Sequence, residues 1–280
     1  MNILQERVEL CPEREWGYME ALCSLPTAEY HEKRRAMLVI PGGGYGMVSE
    51  REAEPVARKF YAEGYNTFTL YYSVTPERIT DKKSGIPKPL LEASAAIAHI
   101  RRNAERYNID PEKIAVIGFS AGGHLAASVA TMWNCDFVKK ECGIAEGENK
   151  PNAALLCYPV ICGEPDAWHE GSFRNLLAGS RDFDADAKKY SLEKQVSEKT
   201  CPCFIWHTAA DACVPVANSL RMAQALSEHH IPFELHIYPD GWHGLSTAEP
   251  DVLKGETNKA AKHVSSWVKT AVKWLYYTLG

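Results

Sequence analysis

Six short apolar runs, separated by longer amphipathic segments, constrain the fold of this chain more than any other feature. The runs are Ala36–Ile40, Asn66–Tyr71, Ile114–Phe119, Ala153–Tyr158, Phe204–Thr208 and Phe233–Tyr238. Near-continuous apolar runs of this length are typical of β-strands that are buried on both faces of a sheet. Their alternation with helical segments predicts an α/β fold, with a mostly parallel central sheet and helices on both faces.

Five amphipathic segments between and after these runs are predicted to be helices. They are Glu52–Glu63, Leu90–Tyr107, Ala121–Trp133, Val216–His230 and Lys259–Leu279. In the second segment, apolar and small residues recur every three to four positions, which gives the helix one buried face. Val8–Leu25 is expected to add an antiparallel hairpin, and Asp110-Pro111 is expected to form the turn before the third strand.

Two stretches interrupt the alternation of strands and helices. Asn134–Asn152 is predicted to be a polar loop. Cys162–Pro202 is predicted to be a short cap-like insertion, with a solvated acidic loop at Asp182–Asp186. A length of 280 residues allows one or two domains, because single α/β domains of about 250 residues are common. Since the sequence has no linker-like or repeated segment, we predict one domain over residues 1–280.

Charge and cysteine content argue against several classes of partner. A formal net charge of −5 disfavours nucleic acid or an anionic membrane as the main partner, since both favour basic patches. The nine cysteines lie in apolar stretches, so neither a disulfide framework nor a zinc site is expected. The charged N-terminus lacks the apolar core of a signal peptide, and no run reaches the length of a membrane helix. These features predict a soluble cytoplasmic protein.

The stretch 118–123 (GFSAGG) contains the pattern G-x-S-x-G between an apolar strand and a helix. Its glycines permit a sharp strand-to-helix turn, at which a side chain would collide with neighbouring backbone. Such a turn raises the Ser120 hydroxyl above the sheet and brings backbone N–H groups of the new helix close to it. We therefore predict that Ser120 is a nucleophile. The alternative interpretation is a glycine-rich turn with an incidental serine.

A second glycine-rich stretch, 41–46 (PGGGYG), follows the first of the six runs. It lacks the P-loop pattern, and it fails the dinucleotide-binding pattern because Met47 stands where the third glycine is needed. Acyl transfer instead needs a loop of free N–H donors directed at a developing oxyanion. The backbone N–H groups of Gly43, Gly44 and Ala121 are the predicted donors.

A nucleophilic serine needs a histidine to accept its proton and an acid to orient that histidine. His243 follows a strand in the turn PDGWHG, at the carboxyl edge of the sheet, where the sites of α/β proteins lie. Asp211 follows another strand at the same edge and is the predicted acid, with Asp240 as its rival. His124, one helical turn after Ser120, is expected to pack structurally.

These stretches together resemble the α/β-hydrolase superfamily, and most closely its bacterial esterases related to acetyl xylan and feruloyl esterases and to hormone-sensitive-lipase-like enzymes. The resemblance extends from Ala36 to Trp274 and is carried by PGGGYG, DPEKIAVIGFSAGGHLA, HTAADACVPV and YPDGWHG. Pro41 stands where many relatives have histidine, which alters how the oxyanion loop is supported, and Thr208 replaces a common glycine. Neither departure touches the three predicted catalytic residues, whose order Ser, Asp, His is that of the superfamily.

The resemblance implies an α/β-hydrolase fold and a serine carboxylic-ester hydrolase that uses no metal or organic cofactor. The implied substrates are acetyl groups on small xylo-oligosaccharide-like carbohydrates. Tyr45, Trp168 and Trp242 are predicted either to form flat walls against the sugar rings or to belong to the core. A serine peptidase of the acylpeptide-hydrolase type and a catalytically silent binding protein stay open as alternatives. Assembly into a homo-oligomer also stays open.

Overall fold

One eight-stranded sheet forms the centre of the computed structural model, which describes residues 2–253, 255 and 257–280. Along the chain the strands are β1 Asn2–Glu9, β2 Tyr18–Leu25, β3 Arg34–Ile40, β4 Tyr65–Tyr71, β5 Ile109–Phe119, β6 Ala153–Cys157, β7 Cys203–Thr208 and β8 Phe233–Tyr238. In space their order is β1-β2-β4-β3-β5-β6-β7-β8. Only the pairings of β2 are antiparallel, with β1 and with β4. The predicted mostly parallel sheet is confirmed, and so is the N-terminal hairpin, which begins earlier than expected.

Ten α-helices accompany the sheet within the same described ranges. They are α1 Glu54–Ala62, α2 Pro76–Ile79, α3 Lys88–Arg102, α4 Ala121–Met132, α5 Asp136–Cys142, α6 Glu170–Leu176, α7 Phe183–Lys189, α8 Ala217–Glu228, α9 Lys259–Val264 and α10 Trp267–Leu279. All five predicted helices are present, although the last is divided between α9 and α10. None of the helices in the described residues is long and apolar enough to cross a lipid bilayer.

Two expectations about irregular segments are wrong. The stretch 134–152 is not entirely a loop, because α5 forms inside it. The predicted acidic loop is the beginning of α7, where the Asp182 carboxylate caps the helix by accepting a hydrogen bond from the Ala185 N–H (3.1 Å). Carboxylates are stabilised at this end of a helix because they satisfy free N–H groups and oppose the helix dipole.

The expected turn at 110–111 also differs, because these residues lie inside β5 and not before it. Pairing between β5 and β3 shifts register at this point, between Arg34 and Ala36 of β3. The Asp110 carboxylate accepts a hydrogen bond from the Glu112 N–H (3.0 Å), which gives the beginning of the strand a local turn. The aspartate–proline pair therefore makes the start of the strand irregular without interrupting it.

The apolar core lies in two layers, one on each face of the sheet. Residues Ala36–Ile40 of β3 are fully buried, and their alternate side chains enter opposite layers. This two-sided burial explains why the strand is apolar throughout instead of alternating. β8 is different, because it lies at one edge of the sheet and its Phe233 and Ile237 are 37% and 36% exposed.

The sheet order brings three loops together at one edge. β5, β6, β7 and β8 are consecutive neighbours and parallel, so the loops after β5, β7 and β8 leave from the same edge. The predicted insertion 162–202 carries α6 and α7 and contacts the loop after β3, where the Asn175 side-chain amide donates to the Gly44 carbonyl (2.9 Å). The predicted site residues lie among these segments.

Candidate active site

The turn between β5 and α4 holds Ser120 in a strained backbone conformation. Ser120 has φ 54° and ψ −119°, which only glycine adopts readily. Its glycine neighbours permit this turn: a Cβ on Gly118 would lie 2.1 Å from the Gly122 carbonyl oxygen. A Cβ on Gly122 would lie 2.2 Å from the Ile40 carbonyl oxygen. The predicted sharp turn is present, and close backbone packing is the reason for its glycines.

Ser120, His243 and Asp211 form one chain of hydrogen bonds. The Ser120 Oγ lies 2.8 Å from His243 Nε2, and His243 Nδ1 lies 2.7 Å from Asp211 Oδ2. Because a carboxylate only accepts hydrogen bonds, Nδ1 carries the proton and Nε2 accepts from the serine hydroxyl. In this arrangement a histidine can remove the proton of a nucleophilic serine. The rival Asp240 is exposed, and its carboxylate accepts from the Gly241 N–H (2.8 Å).

Asp211 is buried, and its carboxylate accepts three hydrogen bonds, one of them from His243. Its Oδ1 accepts from the backbone N–H groups of Cys213 (2.8 Å) and Val214 (2.9 Å), and its Oδ2 lies 3.3 Å from His207 Nε2, which bonds the Val214 carbonyl. Burial alone would raise the pKa of Asp211, but the neighbouring His207 and His243 hold that pKa well below its usual range. Asp211 is therefore a carboxylate at neutral pH and stabilises positive charge on His243.

The loop after β3 lies directly against the serine. A Cβ on Gly42 would lie 3.0 Å from the Ser120 Cβ. Gly43 and Gly44 have φ values of 120° and 62°, and no backbone hydrogen bond among the described residues uses their N–H groups. Ala121 is the first residue of α4, so its N–H has no acceptor within the helix. The structure thus places the predicted oxyanion donors on segments that adjoin Ser120.

A buried carboxylate, Glu52, supports this loop. The Glu52 side chain is 2% exposed, and its Oε2 accepts from the Gly42 N–H (2.9 Å). Its Oε1 accepts from the Tyr158 hydroxyl (2.7 Å), whose oxygen accepts in turn from the Ser246 N–H (2.9 Å). The Tyr158 ring packs edge-to-face on the His243 imidazole, with 5.0 Å between ring centres. Glu52 therefore connects the loop 41–46, which carries predicted oxyanion donors and is called the oxyanion loop below, to the loop that carries His243.

The three aromatic residues expected at the substrate have different environments. Tyr45 is 1% exposed and its hydroxyl lies 2.8 Å from His124 Nδ1, so of its two predicted roles Tyr45 has the core position and does not form a substrate wall. Trp168 is half-buried and packs edge-to-face against Phe183 inside the insertion. Trp242 is 38% exposed, precedes His243, and lines a groove of about 500 Å³. Of the three residues, Trp242 is the one whose side chain is exposed, and it is the neighbour of His243 in the chain.

Sequence reasoning missed Glu52, Tyr158 and the contact of His207 with Asp211. Glu52 and Tyr158 are 106 residues apart, and their contact depends on the direction in which each side chain leaves its backbone. His207 lies on β7, as predicted for the run Phe204–Thr208. Its contact with Asp211 depends on the turn after β7 and not on the spacing, because residues four apart in an extended strand are about 13 Å apart. No local pattern signals the other two residues.

The chain matches known proteins over most of its length. The family model BD-FAE matches residues 24–226. Endo-1,4-beta-xylanase B of Butyrivibrio fibrisolvens is 39% identical over 91% of this chain, and an acetylxylan esterase of Xylanibacter ruminicola is 30% identical over 82% of it. This chain spans 40% and 44% of the length of those two relatives, so less than half of each is matched.

A solved structure supports the same relationship over a whole chain. The acetyl ester-xyloside bifunctional hydrolase from Caldicellulosiruptor lactoaceticus is 35% identical, with a TM-score of 0.79, and the match covers 97% of this chain and 96% of that one. Its fold, the family match and the strand order agree with the resemblance drawn from the sequence motifs. The chain therefore belongs to the BD-FAE family of α/β-hydrolases.

Proposed function

We propose that this protein is a serine carboxylic-ester hydrolase that removes acetyl groups from small carbohydrate esters through an acyl-enzyme. The observation that carries the proposal is the hydrogen-bonded chain from Ser120 through His243 to Asp211, beside backbone N–H groups that have no acceptor among the described residues. Two of the similar proteins have names that refer to acetyl esters of xylan or xylosides, which supports acetyl as the acyl group.

The proposed reaction begins when Ser120 Oγ attacks the ester carbonyl carbon while His243 Nε2 takes the hydroxyl proton. Negative charge then develops on the carbonyl oxygen and is stabilised by the N–H groups of Gly43, Gly44 and Ala121. His243 returns its proton to the leaving alcohol, and the acetyl group stays on Ser120. A water molecule then repeats the sequence and releases acetate, while the Asp211 carboxylate stabilises the protonated imidazole at each step.

Hydrolysis of p-nitrophenyl acetate tests the mechanism. Ser120→Ala is expected to lower kcat/KM by about 10⁴-fold or more, because the nucleophile is removed and the fold is kept. Asp211→Asn is expected to lower kcat by about 10³- to 10⁴-fold, because the amide cannot stabilise a protonated imidazole. Asp240→Asn is the matched control at an exposed carboxylate and is expected to keep full activity. Retained turnover in Ser120→Ala would refute the mechanism.

The proposal of a sugar as the alcohol part rests on the similar proteins and on the groove that Trp242, the residue before His243, helps to line. Met47, Trp242 and Leu253 line that groove, and an exposed indole offers a flat apolar face to a sugar ring.

Acetate release from acetylated xylo-oligosaccharides is expected to exceed release of ferulate from feruloyl esters and cleavage of N-acetylated peptides. Faster cleavage of the peptides would favour the acylpeptide-hydrolase alternative, and inactivity on every ester would favour a silent binding protein.

We also propose a cytoplasmic location and a small uncharged ester as the principal partner. All nine cysteines lie in the described residues and are free thiols, five of them buried, which suits a reducing compartment. The net charge of −5 supports a neutral partner over an anionic polymer. Cell fractionation of the producing organism measures the location, and recovery in the culture medium would contradict it.

A further inference from the structure

His169 lies at the beginning of α6 and caps this helix through one ring nitrogen. Its Nδ1 accepts from the Ser172 backbone N–H (3.2 Å) and lies 2.8 Å from the Ser172 hydroxyl oxygen. Because a backbone N–H only donates, Nδ1 carries no proton in the neutral ring. The proton of the neutral imidazole is therefore on Nε2, at the far side of the ring from the helix.

The contacts of α6 place this ring between two loops of the proposed catalytic site. At one end of the helix, Asn175 donates to the carbonyl of Gly44 in the oxyanion loop (2.9 Å). At the other end, His169 Nε2 lies 3.6 Å from the thiol sulfur of Cys213, whose own N–H donates to Asp211. His169 consequently lies on the rim of the site, on the side of the acid loop.

The Nε2–H group of His169 is a donor without a strong acceptor among the described residues. Its neighbour there is the Cys213 sulfur, and a thiol sulfur accepts hydrogen bonds weakly. Burial and then the nearby charge of His243 lower the pKa of His169, while the Asp211 carboxylate opposes this effect. The ring is therefore neutral at physiological pH and offers one directed N–H to an oxygen acceptor.

We propose that His169 Nε2–H binds a hydroxyl oxygen on the alcohol part of the ester, adjacent to the carbon that carries the acyl group. The inference rests on the proposed esterase function. The leaving oxygen has to approach His243 Nε2 to receive its proton, so the alcohol lies over the histidine and acid loops. His169 lies beside the acid loop, against Cys213, and therefore on the side of the site where the alcohol is bound. The oxygen of a sugar that lies nearest to the ester is the hydroxyl on the neighbouring ring carbon. His169 thus selects vicinal diol esters over simple alkyl esters.

Two substitutions separate the capping role of His169 from its donor role. His169→Asn keeps a side-chain oxygen that accepts from the Ser172 N–H, but its amide is too short to reach the position of Nε2. His169→Gln places an amide N–H near the position of Nε2. His229→Asn, at an exposed histidine at the end of α8, is the matched control. The probes are trans-2-hydroxycyclohexyl acetate and cyclohexyl acetate, which differ only in the neighbouring hydroxyl.

The measured quantity is the ratio of kcat/KM for the hydroxylated ester to kcat/KM for cyclohexyl acetate. Wild type is expected to prefer the hydroxylated ester, and His169→Asn is expected to lower the ratio about threefold to tenfold, as for loss of one hydrogen bond. His169→Gln and His229→Asn are expected to stay within about twofold of wild type. Thermal unfolding of each variant reports whether the helix cap is kept.

Three outcomes would overturn the proposal. They are a wild-type enzyme without preference, an unchanged ratio in His169→Asn, and an equal loss of preference in the Asn and Gln variants. The last outcome would show that the ring acts through structure and not as a donor. Hydrolysis of p-nitrophenyl acetate separates this failure from failure of the esterase function, because an active enzyme with an unchanged ratio contradicts only the role of His169.

Discussion

Glu52 shows how a single buried side chain can fix the geometry of two loops that are distant in sequence. Its two oxygens accept hydrogen bonds from different segments, Gly42 before the oxyanion donors and Tyr158 under the histidine ring. A carboxylate suits this position because both neighbours are donors, and burial makes each unsatisfied donor costly. A second support acts at the start of the loop, where the Pro41 carbonyl accepts from the Tyr72 hydroxyl (2.7 Å). Glu52 and Tyr72 together support the loop.

Glu52→Gln is expected to lower kcat about tenfold or more and to leave KM nearly unchanged. The amide nitrogen of glutamine has to face one of the two donors, so one hydrogen bond is lost and the oxyanion loop shifts. A shift of a fraction of an ångström weakens stabilisation that is made in the transition state. Steady-state kinetics on p-nitrophenyl acetate measures the effect, with Glu54→Gln, an exposed acid that pairs with Arg58, as the control. An equal rise in KM would show that Glu52 acts on substrate binding.

The proximity of Ser120, Asp211 and His243 was predictable from the sequence, because each residue follows a strand at the carboxyl edge of a parallel sheet. Ser120, Asp211 and His243 could thus be placed together without knowledge of any side-chain conformation. The role of Tyr45 was not predictable in this way. Tyr45 directly follows the oxyanion glycines, yet its φ of 59° turns the side chain into the core, toward His124.

At the scale of elements, the junction of β5 and α4 depends on contact between backbones. Gly118, the second-last residue of β5, lies against the Gly122 carbonyl, and Gly122 lies in turn against the Ile40 and Pro41 carbonyls at the end of β3. The helix therefore begins closer to the sheet than any side chain would permit. This close approach brings the Ala121 N–H next to Ser120 and lets the oxyanion loop pass beside it.

Gly118→Ala is expected to destabilise the protein by about 3 kcal/mol or more and to abolish esterase activity. Its Cβ would lie 2.1 Å from the Gly122 oxygen and 2.7 Å from the Ala126 Cβ, so β5 and α4 have to separate. Gly143→Ala is the matched control: a Cβ there has no atom within 4 Å, and the positive φ alone costs about 1 kcal/mol. Urea unfolding measures both changes, and equal losses would contradict the role of the close approach.

The elements themselves were predicted well where burial alone determined the sequence pattern. Five of the six predicted runs became strands inside the sheet, and their residues are almost all buried. The position of β8 at the edge of the sheet could not be predicted from the sequence, because an apolar run has the same composition whether one or both of its faces are covered. The helix α5 was missed because its seven residues are too few for a periodic pattern.

At the scale of the whole molecule, His124 joins three parts of the chain through one buried ring. It lies in α4, its Nε2 is 2.8 Å from the Tyr190 carbonyl of the insertion, and its Nδ1 is 2.8 Å from the Tyr45 hydroxyl of the oxyanion loop. A carbonyl only accepts, so Nε2 donates and Nδ1 accepts. Burial lowers the pKa of His124 from 6.5 to about 4, so the neutral ring is the form that the folded state requires.

Stability is therefore expected to fall as the pH is lowered from 7 to 5. The unfolded chain binds a proton at His124 below pH 6.5, whereas the folded state resists protonation until about pH 4. Acid therefore favours unfolding in this window, and the loss amounts to about 2 kcal/mol between pH 7 and 5. Urea unfolding at both pH values is the measurement. His124→Gln is expected to remove this part of the pH dependence, whatever its effect on absolute stability.

Tyr45→Phe controls for the loss of a hydrogen bond, because it removes the partner of Nδ1 and keeps the histidine that titrates. Its stability is expected to be lower than that of wild type at each pH, with the same fall between pH 7 and 5. A wild-type protein with constant stability over this range, or a His124→Gln variant with the wild-type fall, would contradict the assignment. The expected pattern would show that the insertion, the oxyanion loop and α4 depend on one neutral histidine.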